Sequence, residues 1–79
     1  MMNNMERANA IANSIKEMLN DTFKILNDTK AISDNMIHVR VIDKYAEYVM
    51  KLMEVNYCES LVFVMMSTMD EVTTLTYSC

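Results

Sequence analysis

Ile37-His38-Val39-Arg40-Val41 admits two periods, and the architecture depends on which one the chain uses. At period two it is an alternating, β-branched strand. At period 3.6, Ile37 and Val41 open an apolar stripe that continues through Tyr45, Tyr48, Leu52 and Val55, widened by Ile42, Val49 and Met53. Arg40, Asp43, Lys44, Glu47, Lys51 and Glu54 then share the opposite side. Glu47 and Lys51 stand four apart, a spacing worth about 0.2–0.5 kcal/mol as an ion pair. The longer pattern favours a helix over about 35–56, begun at the fresh N-caps of Ser33-Asp34-Asn35. In the competing reading, residues 36–42 are a strand and Asp43 caps a shorter helix.

The segment before it is periodic throughout. Met5, Ala8, Ile11, Ala12, Ile15, Met18, Leu19, Phe23 and Leu26 fall within roughly 140° of arc at about 100° per residue. Asn3 with Glu6 three positions on resembles a capping box, Asn standing in the Ser/Thr place. A long amphipathic helix over about 4–30 follows. The tail is different: Leu61-Val62-Phe63-Val64-Met65-Met66 is a strand-like run, and Val72-Thr73-Thr74-Leu75-Thr76-Tyr77 is β-branched and alternating. These predict a hairpin over about 61–77, connected through Ser67–Glu71 without the Asn-Gly or Asp-Gly of a two-residue turn.

The fold class expected is therefore α+β: one small domain over 1–79, with two amphipathic helices followed by a C-terminal β-hairpin, closed by oligomerisation. The alternative order is α-β-α-β-β with a three-stranded sheet. Self-association is expected on two grounds. A two-stranded hairpin is marginal alone, and a chain of this size buries little surface without a metal or disulfide staple.

Composition narrows the function. The 79 residues contain no Gly and no Pro, which removes every glycine-dependent phosphate, dinucleotide, calcium and nucleophile-elbow motif. Seven basic residues against eleven acidic ones give a net charge of −4, a poor footprint for nucleic acid or an anionic membrane surface. The same charge is too small for a DNA mimic. The longest apolar run has six residues, Leu61 to Met66, against about twenty for a membrane span. The first residues have no apolar core of a signal peptide, so a soluble, cytoplasmic protein with reduced thiols is expected (the host cytoplasm, if the chain is phage-encoded).

Chemistry-bearing residues are sparse. His38 is the only histidine, with no Ser or Cys at nucleophile spacing, and reads as a packing residue. His38, Cys58 and Cys79 are too scattered for a zinc site. The two cysteines would face each other only if the hairpin turned about Thr68-Met69, whereas a turn at Asp70 parts them. Asp43, Glu47 and Glu54 alternate with cations, as a solvated face does. No catalytic, cofactor or metal residue is assigned, and the chain is read as not an enzyme.

Ten methionines suit either core filling or an adaptable binding surface. The candidate interface residues are Tyr45, Tyr48, Val49, Met53, Phe63 and Met65. The function expected is a non-enzymatic interaction protein that binds and modulates another macromolecule, its partners being further copies of itself and an unidentified protein. A small, acidic, motif-free chain with this bias resembles the accessory proteins of bacteriophages or mobile elements, which often inhibit host systems. The alternative is an oligomeric small-molecule or nucleotide binder with a site between subunits, where Arg40, Lys44 and Lys51 are the candidate contacts to an anionic ligand.

Overall fold

The computed structural model describes residues 3–79. Helix α1 (Asn4–Glu17) begins as expected: Asn3 Oδ1 accepts the Glu6 backbone N–H at 2.8 Å, and the Asn3 amide donates to Glu6 Oε1 at 3.1 Å. Ala8, Ala12 and Ile15 form its buried stripe. A single π turn, Met18–Thr22, prolongs it and keeps Leu19 in the core. Ile25 N–H then donates to the Leu19 carbonyl at 2.7 Å, and Lys24 takes φ 56°, so the chain reverses.

The helix thus ends eight residues before the expected limit of 30. Residues Asn27–Ser33 form strand β1, which pairs antiparallel with β2 (Met36–Ile42). Leu26, placed on the buried helical face by its spacing, is exposed instead. The reason is visible at period two: Thr29 points inward between the outward Asp28 and Lys30, a strand disguised by its polar residues.

The stretch 37–41 is also a strand, so the expected helix over 35–56 is replaced by β2, a 3-10 turn at Asp43–Tyr45, and α2 (Ala46–Tyr57). Val39 explains the outcome. A helix would turn it about 200° from Ile37, onto the charged side, whereas the strand buries Ile37, Val39 and Val41 together. Asp43 does not cap α2, which has no side-chain cap; its carboxylate instead accepts the buried Thr73 hydroxyl at 2.7 Å.

The C-terminal hairpin forms as β3 (Val62–Met69) and β4 (Val72–Ser78). Its turn is two residues, Asp70 and Glu71, both at positive φ (51° and 67°), which is the handedness that matches strand twist. The pairing Met69↔Val72 excludes a turn about Thr68-Met69 and parts the cysteines, which are both free thiols.

The order of elements is α-β-β-α-β-β, and the sheet has four antiparallel strands in the order β1-β2-β4-β3, not the two or three strands expected. Both helices lie on one face. The Ser14 and Tyr57 hydroxyls meet at 2.7 Å and the Phe23 and Tyr48 rings at 6.0 Å, so α1 and α2 run antiparallel. The core between helices and sheet contains Ile15, Leu19, Ile37, Val39, Val49, Met53 and Leu75. Among the described residues, nothing forms a second layer over the other face of the sheet, which carries Lys30, His38, Arg40, Thr74 and Met65.

Candidate functional site

The helix layer stops short of β3. Strand β4 is largely buried, yet every residue of its neighbour β3 is exposed. Between α2 and this uncovered strand lies a groove of about 650 Å³. Met53, Leu61, Phe63 and Tyr77 supply its apolar floor, Met50 and Tyr57 its helical wall, and Glu47, Lys51 and Glu54 its rim. Phe63 packs edge-to-face on Tyr77, with ring centroids 5.6 Å apart. Phe63 itself stays 43% exposed. Burial pushes the Tyr77 phenol up to about 12 from its ordinary 10, because the phenolate would lose its water.

The amino-acid pattern explains the groove locally. Helix α2 buries only Ala46, Val49 and Met53, a narrow stripe that one packing partner satisfies. Leu61 N–H donates to the Tyr57 carbonyl at 3.0 Å, and Ser60 N–H to the same oxygen at 3.1 Å. The chain therefore leaves α2 tightly and enters β3 on the outer edge of the sheet. A bulge between Phe63 and Met65 inserts Val64.

The proposed interface residues divide. Phe63 lies in the groove and Met65 on the open face of the same strand, both exposed. Val49 and Met53 are core residues, although Met53 also reaches the groove floor. Tyr45 and Tyr48 sit at the other end of α2, where the Lys44 ammonium lies 5.1 Å from the Tyr45 ring centre. Met50, Tyr57, Leu61 and Tyr77 are not singled out as interface residues by the sequence; the uncharged run 60–69 bears on Leu61, whereas Met50, Tyr57 and Tyr77 carry no local signal.

The cations do not converge. Arg40 is on the open sheet face, 3.5 Å from Asp28 in an exposed pair, beside a shallower cavity of about 380 Å³. Lys44 is in the 3-10 turn, and Lys51 is on the groove rim. Among the described residues the Arg40–Asp28 contact is the ion pair formed, so Glu47 and Lys51 do not pair as their spacing suggested. Among the same residues no group of three or more His, Cys, Asp or Glu is placed to hold a metal ion, and no helix is long and apolar enough to cross a membrane. His38 is half-buried on the open face, opposite Lys30 and Thr76.

Comparisons with protein families, with curated proteins and with solved structures find no match.

Proposed function

We propose that this chain is a non-enzymatic interaction protein that binds and modulates another protein, with the groove between α2 and β3 as the receiving surface. The observation that carries this reading is the groove itself: an apolar floor beside a strand that the protein's own helices leave uncovered. Its charged groups stand on the rim, where they steer and orient a partner rather than act on it. Met50 and Met53 line it, and their flexible thioethers adapt to an incoming side chain. The composition, which resembles that of bacteriophage or mobile-element accessory proteins, makes a component of a host system the class of target.

The test is affinity capture from a bacterial lysate with the wild-type chain and with Phe63→Glu, circular dichroism serving to show that the variant is folded. The reading expects a discrete protein on the wild-type chain that the variant releases. A clean capture, or equal capture by both chains, counts against it.

A further inference from the structure

We propose that β3 pairs antiparallel with β3 of a second copy, joining two four-stranded sheets into one of eight strands. This names the occupant of the free edge beside the groove, and it rests on the reading of that side of the molecule as the docking surface.

The two edges of the sheet differ in the way that decides pairing. Edge strands left long, flat and apolar recruit another strand, and proteins ordinarily block them with charge. Each edge strand carries one irregularity, Ala31/Ser33 in β1 and Phe63/Met65 in β3, so charge is the difference: β1 is blocked by Asp28 and Lys30. Strand β3 carries no charge at all. Ser60 to Met69 is the longest uncharged stretch of the chain, and it coincides with the edge.

A second copy fits this edge because the charge is elsewhere. Two chains of net charge −4 repel wherever their acidic surfaces meet. Antiparallel self-pairing of β3 sets uncharged residues opposite one another along its whole length. The unbulged part, Met65–Met69, directs Met65, Ser67 and Met69 to the open face and Met66 and Thr68 to the helix side. Like faces superpose when the two-fold axis passes near Met66 or Ser67.

The edge is accessible. Val62, Phe63, Val64, Met65, Met66 and Met69 range from 43% to 74% exposed. Edge-to-edge pairing covers the flanks of these side chains and leaves both sheet faces in water, so it buries well under the roughly 1,000 Å² of a specific interface, and main-chain hydrogen bonds along the strand carry the affinity. An eight-residue strand also satisfies its outward N–H and C=O groups in the same step.

Light scattering coupled to size exclusion tests this on the full chain, over a range of concentrations. The expected species has twice the 9.2 kDa chain mass, and Val64→Lys and Met65→Lys, both at exposed positions outside the groove lining, shift it to the monomer without loss of secondary structure. As a second measurement, Ser67→Cys and, separately, Lys30→Cys are made in a Cys58→Ser, Cys79→Ser background. Oxidation is expected to cross-link the Ser67→Cys chains and not those altered at Lys30. A monomer at every concentration, an oligomer indifferent to the lysines, or cross-linking through Lys30→Cys overturns the proposal. The two readings fail separately. A monomer that still captures a partner through Phe63 refutes only the pairing, and a dimer whose Phe63→Glu form captures as well as wild type refutes only the groove.

Discussion

Glu71 is held at φ 67° and Asp70 at φ 51°, a conformation that glycine adopts freely and other side chains resist. Strain enters because the two strands demand this turn, and the Glu71 carbonyl is further engaged by Asp43 N–H at 2.8 Å. Glu71→Gly retains that carbonyl and removes the Cβ clash, so the variant is expected to gain about 0.5–1 kcal/mol, read as a melting temperature raised by several degrees. A lower midpoint would show the turn to be unstrained. Tyr77 offers a pH test. Its pKa is about 12 in the folded chain against 10 as a free phenol. Below pH 10 both states keep the proton and stability is unaffected. Between 10 and 12 the unfolded chain loses it first, so stability falls as pH rises. Denaturant midpoints measured from pH 9 to 12 should drop in wild type and drop less in Tyr77→Phe.

Among the elements, the two ends of the chain were legible and the middle was not. The N-cap of α1 and the strand character of 62–66 and 72–77 are local properties and both form, but Leu61 precedes the strand, and Ser67, Thr68 and Met69, expected in the connection, extend it. Strand β1 was hidden because its inward positions are Thr29 and the half-buried Ala31 rather than large aliphatics, so the preceding helical period ran over it. Leu26 and Leu75 separate the two descriptions. Leu75 lies fully buried at the centre of β4, and Leu75→Ala is expected to cost about 2–5 kcal/mol. Leu26 is 80% exposed, and Leu26→Ser should change stability by less than about 0.5 kcal/mol. Had the first helix extended through residue 30, the second substitution would be costly as well. Urea denaturation of both variants decides between the two descriptions.

The whole molecule is one helix layer on one sheet, with the second sheet face and the β3 edge left open. If copies pair through that edge, folding and association are linked, and the wild-type melting temperature should climb with protein concentration. Met65→Lys should melt at a temperature independent of concentration, and wild type behaving likewise would argue against linkage. The groove between α2 and β3 was only partly readable in advance. Phe63 and Met65 were named from their run of apolar neighbours, but Tyr77 and Leu61 enter through strand order and a tight helix exit. By itself, the sequence determined the α+β class, the capped first helix, the C-terminal hairpin and the absence of every glycine-built site, because these depend on residue type and short-range period. Tertiary structure alone decided that 37–41 is a strand, that β1 exists, and that β3 stands at an edge without cover. Burying Val39 requires a partner strand on each side of it: Thr29 comes from the neighbouring strand of a local hairpin, but Leu75 comes from the far end of the chain.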